Sequence, residues 1–225
     1  METFKGLLKV GKKEHLEALR NGIVYFNTLQ YFKQLEAKDN GMKDRFECGQ
    51  SVFQFTELSV KVNDRYTPVL KDGFAVFDNG RYRGNVFCTY FINIPVDEIS
   101  SVDQYPLNIE SPIASTDIDS FMIISNIEEL TRRMERKVAD EGERLFYGPV
   151  DYLEFASYAG ELTPFNKDVR FKHQKEWRYY IGRTANSKAD ARRYDLGDLS
   201  DITSEVMDIN SISTLTFFRK NIPTT

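Results

Sequence analysis

The run Val86-Phe87-Cys88-Thr89-Tyr90-Phe91-Ile92-Asn93-Ile94 constrains the fold more than any other stretch of this chain. Near-continuous apolar and β-favouring residues closed by Pro95 fit a strand covered on both faces. Thr89 and Asn93 interrupt the run, and it falls far short of the ~20 apolar residues of a membrane helix, so no membrane span is expected.

The segments around that strand fall into two periods. Phe4 to Val10 reads as a short strand, Lys13 to Arg20 as a helix stopped by Asn21-Gly22, and Ile23 to Phe26 as a second buried strand. Asn27 is expected to cap a helix carrying Leu29, Phe32 and Leu35 at helical spacing, broken by Asp39-Asn40-Gly41. From Phe53 the period becomes two, with Phe53, Phe55, Leu58, Val60 and Val62 as a strand, Asn63-Asp64 as a turn, and Tyr66 to Leu70 beyond it. Asp78-Asn79-Gly80, between Phe74 to Phe77 and Tyr82 to Phe87, is a strong hairpin signal. Ser100 to Ser120 reads as a surface excursion. Asn126 caps a predicted helix with the stripe Ile127, Leu130, Met134, Val138, ended by Gly142. Strands are expected again at Val150 to Phe155, Glu176 to Ile181, Glu205 to Ile209 and Ile212 to Phe218. At 225 residues, 41% of them hydrophobic and 13% aromatic, the chain can bury a real core, and residues 1–225 read as one α+β domain.

Composition removes several function classes. Thirty basic against 34 acidic residues, a net charge of −4, argue against coating nucleic acid by bulk electrostatics. The basic clusters at Lys5, Lys9, Lys12 and Lys13, at Arg132, Arg133, Arg136 and Lys137, and from Lys167 to Lys175 read mainly as solvated faces. Two cysteines, Cys48 and Cys88, suit a reducing compartment, and a start of Met1-Glu2-Thr3-Phe4-Lys5 lacks the build of a secretory signal, so a cytoplasmic location is expected. With only His15 and His173 besides, no metal site is expected. Walker, dinucleotide-binding and nucleophile-elbow glycine patterns are absent.

The segment Phe171-Lys172-His173-Gln174-Lys175-Glu176-Trp177-Arg178-Tyr179-Tyr180-Ile181 carries the most chemistry. As a strand it sends Trp177, Tyr179 and Ile181 to one face and Glu176, Arg178 and Tyr180 to the other. The first set belongs in a core. The second is either a cleft wall or a solvated face with a Glu–Arg pair.

The opening Leu7-Leu8-Lys9-Val10-Gly11, the stretch His15 to Phe26 and the closing Phe171-x-His173-x-x-Glu176-Trp177-Arg178 resemble a family of largely uncharacterised bacterial proteins. More remotely, the chain is similar to ADP-ribosyltransferase toxins, especially those that modify nucleic acid. Those proteins show a polar residue on a first strand, a helix ending in glycine, a loop arginine, an aromatic strand and a late glutamate. Lys9, Gly22, Arg45, Cys88-Thr89-Tyr90-Phe91 and Glu176 stand at those places, although the first is more typically histidine or arginine.

The resemblance implies an ADP-ribosyltransferase-like split antiparallel β core with flanking helices, NAD as the cleaved substrate, and Glu176 and Arg45 as catalytic residues. Lys9, Gly11, Lys12, Tyr25, Phe32 and Tyr90 are its implied NAD contacts: cations for the pyrophosphate, aromatic faces for nicotinamide. Read from the residues alone, Tyr25, Phe32 and Tyr90 suit ordinary core, and Arg45, beside Asp44 and Glu47, suits a surface ion pair. The implied role is a toxin or defence effector with nucleic acid or protein as acceptor and an antitoxin or chaperone as partner. An NAD glycohydrolase and a non-enzymatic partner-binding component of a defence operon are the alternatives.

Overall fold

The computed structural model describes residues 3–36, 46, 49–78, 80, 82–96, 98, 104–107, 109, 118–182 and 190–218. In chain order the elements are β1 (Thr3–Gly11), α1 (Lys13–Arg20), β2 (Ile23–Thr28), α2 (Leu29–Glu36), β3 (Ser51–Val62), β4 (Arg65–Phe77), β5 (Gly84–Pro95) and β6 (Gln104–Pro106). They continue with β7 (Ser120–Ile124), α3 (Ile127–Asp140), β8 (Leu145–Pro149), β9 (Asp151–Leu153), β10 (Gly160–Glu161), β11 (Asn166–Asp168), β12 (Glu176–Gly182), β13 (Arg192–Asp195), β14 (Met207–Asp208) and β15 (Thr216–Phe218). The architecture is mixed α+β with mostly antiparallel strands; β9 with β11 is a parallel pair. No helix among the described residues is long and apolar enough to cross a membrane.

One large sheet runs β13-β2-β5-β1-β7-β14, and β5 also pairs β12, which pairs β8. The expected central strand is β5. On one edge it pairs β12 from Gly84 to Tyr90. On the other it pairs β1 through Tyr90 to Pro95 and β2 through Asn85 and Val86. Between those neighbours, at Phe87 to Thr89, the sheet splits.

Helices α1 and α3 cover one face. Leu16 and Leu19 of α1 and Leu130, Met134 and Val138 of α3 pack on Leu7, Phe26, Phe87, Tyr179 and Ile181. The apolar stripe of α3 is the one its sequence predicts, and the Asn126 side chain accepts from Glu129 N at the cap. Gly22 ends α1 at φ +98°, and a Cβ there would lie 2.1 Å from Gly197 O, so glycine is required by conformation and by close approach. The opposite face carries two smaller clusters, one around Leu8, Ile92, Ile94 and Phe121, the other around Leu29, Val86 and Tyr180.

Several expectations are corrected. Thr28, not Asn27, caps α2, accepting from Tyr31 N at 3.0 Å. Strand β2 alternates instead of being buried throughout: Val24 and Phe26 are core while Tyr25 is exposed. The hairpin expected across Asp78 to Gly80 does not form, because β4 pairs β3 and β5 enters the large sheet. The tight turn is at Asn63 and Asp64, both at positive φ. The strand expected from Val150 to Phe155 is the short β9, and Phe155 packs under the β3–β4 ribbon. A 3-10 turn, Val169–Gln174, precedes β12, and another, Ile209–Thr214, takes the first three residues of the expected last strand, which forms only as β15, Thr216–Phe218. The Asp39-Asn40-Gly41 break lies outside the described residues.

Candidate functional site

Glu176 opens β12, which lies between β5 and β8 in the large sheet. Its backbone is fixed on both sides: the amide donates to Tyr152 Oη at 2.9 Å, and the carbonyl accepts from Val150 N at 2.9 Å. The preceding Lys175 adopts a left-handed φ of 40°, with its amide on Lys172 O and its carbonyl accepting from Phe91 N at 2.6 Å. A non-glycine residue in that region persists only where its surroundings over-determine it. This tight joint aims Glu176 at the face opposite the helices.

The register places Tyr90 opposite Glu176 and Cys88 opposite Arg178, so the four share that face. They form a polar band between its two apolar clusters. The band is not a solvated face: Glu176 is 8% exposed and Arg178 2%. The segment leading into β12 covers it. Arg178 Nη1 donates to Pro164 O, and Lys167 on β11, 5% exposed, folds over the carboxylate. Lys167, expected to belong to a solvated basic cluster, is therefore buried, because it is paired.

Both carboxylate oxygens are engaged. Arg178 Nε donates to Glu176 Oε1 at 2.8 Å, and Lys167 Nζ lies 2.9 Å from Oε2 and 3.0 Å from Gln174 Oε1. Burial disfavours the charged carboxylate, but Arg178 and Lys167 more than offset it and hold Glu176 well below the usual carboxylate range. Burial, reinforced by the Glu176 charge, pushes the Cys88 thiol far up, so it is a poor nucleophile. Burial also pushes Tyr152 up to about 12.

Lys9 enters through the split. Its Nζ donates to Cys88 O at 2.6 Å and sits 4.7 Å from the Phe87 ring centroid. It thus satisfies a β5 carbonyl in the gap between β1 and β2. Burial lowers its pKa, while the nearby Cys88 and Glu176 oppose the shift.

Two cavities lie beside this band. One, of about 180 Å³, is lined by Lys9, Cys88, Tyr90, Gln174 and Glu176 among others. The second, about 470 Å³, is lined by Tyr90, Tyr152, Lys172, Lys175 and Glu176 with apolar neighbours. Tyr90 and Glu176 belong to the lining of both.

Of the residues named from sequence, the fold brings together Glu176, Lys9 and Tyr90. Tyr25 is exposed on β2, facing away from Val24 and Phe26, and lines neither cavity. Phe32 packs against the cluster of Leu29, Val86 and Tyr180 and lines neither cavity. Gly11 and Lys12 also lie outside the lining, Lys12 being exposed. Arg45 lies outside the described residues. Among the described residues no group of three or more His, Cys, Asp or Glu side chains is placed to hold a metal ion. Sequence reasoning passed over Lys167, Gln174 and Tyr152. Nothing in the sequence sets Lys167 apart from the other cations of the cluster from Lys167 to Lys175.

Comparison of the chain with protein-family models, curated proteins and solved structures finds no match.

Proposed function

We propose that this chain is an NAD-dependent ADP-ribosyltransferase in which Glu176 is the catalytic carboxylate and the sheet and helices form an ADP-ribosyltransferase-like split core. The observation that carries the reading is a rigidly held Glu176 carboxylate, paired with two buried cations, on a residue that lines two cavities beside a split in the central sheet. Breaking the nicotinamide–ribose bond sends the bonding electron pair to nicotinamide and leaves oxocarbenium character on the ribose. A carboxylate fixed against a ribose hydroxyl stabilises that charge without reorganising. The acceptor's lone pair then bonds to the ribose carbon as neutral nicotinamide leaves, and the acceptor's proton passes to solvent.

Lys9, with Lys172 and Lys175 at the second cavity, supplies cations for the pyrophosphate, and Tyr90 an aromatic face for nicotinamide. The acceptor in this reading is nucleic acid or protein, the setting a cytoplasmic toxin or antiviral defence effector, and the partner an antitoxin or chaperone. With water as acceptor, the same residues give an NAD glycohydrolase. The engagement of both Glu176 oxygens by buried cations favours a second reading, in which Glu176, Arg178 and Lys167 are purely structural and the chain is a binding component of a defence operon.

Release of nicotinamide from NAD by the purified chain, beside its Glu176→Gln variant, decides between them. The proposal expects turnover to fall about 10²–10³-fold in the folded variant, the usual loss for one preorganised electrostatic contact. Retained turnover in Glu176→Gln, or none in the parent with any acceptor supplied, removes it. Mass analysis of the products separates transfer from hydrolysis.

A further inference from the structure

The β3–β4 ribbon has an inner half that packs on the body and an outer half that does not. At its base Val52 pairs with Val76 and Gln54 with Phe74. Val52 is buried against Phe155 and Leu162, with Phe74 and Val76 packed beside it, and Gln54 Nε2 donates to Phe155 O and Tyr158 O. Side chains two apart on a strand, and those directly opposite across a pair, share a face. Beyond Asp72, at φ 46°, where Thr56 and Asp72 drop out of the pairing, the outer half sets Leu58 opposite Leu70 and, past the register shift between Leu58 and Ser59, Val60 opposite Thr67 and Val62 opposite Arg65, all on one face.

These outer apolar residues have no cover among the described residues: Leu58, Val60, Val62 and Leu70 are between 47% and 61% exposed. The other face of the same stretch is mostly polar, pairing Glu57 with Lys71, Ser59 with Pro68 and Lys61 with Tyr66. A two-stranded ribbon with a bare apolar face is marginal in water by itself. Such a face on an otherwise well-packed chain marks an interaction surface.

We propose that the outer half of this ribbon is the contact surface of a symmetric dimer, in which two copies lay their Leu58–Val62 stripes face to face and antiparallel. Charge selects this occupant. The outer ribbon carries Glu57, Asp64 and Asp72 against Lys61, Arg65 and Lys71, three of each sign, so two copies meet without net repulsion and a polyanion gains no net attraction. Charge also selects the direction. Arg65 lies at the outer end of the stripe, opposite Val62, and Asp72 at its inner end, beside Lys71. With the two-fold axis across the strands, between the levels of Leu58 and Val60, β4 lies over β4 and the Arg65 level of one copy meets the Asp72 level of the other, whereas a two-fold along the strands lays β4 over β3 and sets Arg65 over Val62. Area is in keeping. A standard interface covers about 800 Å² per partner, a little over half of it apolar, and the four half-exposed aliphatic side chains of the stripe supply part of that apolar surface. Like any isologous contact, the arrangement closes at two copies.

Sedimentation velocity of the full chain from about 1 to about 100 µM, the range in which a standard-sized interface without tight anchors associates, reads it directly. The expected result is a concentration-dependent dimer, with Val60→Glu monomeric throughout and as thermostable as the dissociated parent. Arg65→Asp is expected to weaken the dimer by about five-fold to about ten-fold, and the double change Arg65→Asp with Asp72→Arg to restore it, as for exposed ion pairs counted twice across a two-fold. A parent that stays monomeric, a dimer indifferent to Val60→Glu, or a charge reversal that the second change fails to rescue overturns the proposal. So does a monomeric parent that captures single-stranded RNA on the ribbon.

Discussion

Along β12 a carboxylate and a guanidinium are buried within the large sheet, while along the outer β3–β4 ribbon leucine and valine stand in water. Both are antiparallel strands with period-two sequences. They differ in what lies over them. The segment from Pro164 to Gln174 folds back over Glu176 and Arg178 and supplies Lys167 and the Pro164 carbonyl as partners. No described segment lies over the stripe beyond Phe74. The alternation in a sequence thus tells which side chains share a face; whether that face is covered depends on distant chain.

The comparison breaks first at Arg178. If the buried band is a mutually dependent set of charges, Arg178→Ala strands the remaining members in a low-dielectric site and is expected to cost about 3–5 kcal/mol in urea unfolding. A change below about 1 kcal/mol would show that water reaches the band, and the contrast with the ribbon would vanish.

Acid sharpens it next. The Glu176 carboxyl is held below its ordinary range, so its ionised form contributes stability that is fully present above the unfolded-state value of about 4.3 and is lost as pH falls toward the folded value. Parent and Glu176→Gln melting temperatures are therefore expected to differ most near neutrality and to converge below about pH 4. A gap that stays constant through that window would mean that Glu176 does not titrate with the fold.

The smallest effect is expected on the ribbon. Val62→Ser, measured at a concentration where the chain is dissociated, should shift unfolding free energy by no more than about 0.5 kcal/mol, since an exposed side chain loses little on replacement. A loss of about 2 kcal/mol, the scale of a buried aliphatic, would reveal a cover over the stripe.

Much of the framework is legible in the residues. Helix α1 stops at Arg20 because Asn21-Gly22 admits the left-handed turn, and α3 starts at Ile127 because Asn126 accepts an amide. The alternation at Trp177 to Ile181 assigns each side chain to its proper face. Strand pairing was less legible. Asn63-Asp64 and Asp78-Asn79-Gly80 are both good turn formers, and local composition holds no information on which flanking strands remain paired after the sheet assembles. The site was legible in part. Glu176 announces itself by its place in an aromatic strand, but Lys167 reads as one more surface lysine until the 3-10 turn brings it back over the carboxylate.

The order of strands in the large sheet bears on when the site comes into being. Its neighbours β1, β5, β7, β12 and β14 are drawn from the first residues, the middle and the far end of the chain, so every central pairing closes a long loop. Such non-local pairing folds slowly, because loop entropy is lost before contacts repay it. A nascent chain that has emerged only as far as β11 has Lys9, Cys88 and Lys167 but no Glu176 for them to surround. During synthesis, the candidate carboxylate arrives last among the members of its own charged cluster save Arg178, and a product truncated before β12 leaves Lys167 without its carboxylate partner.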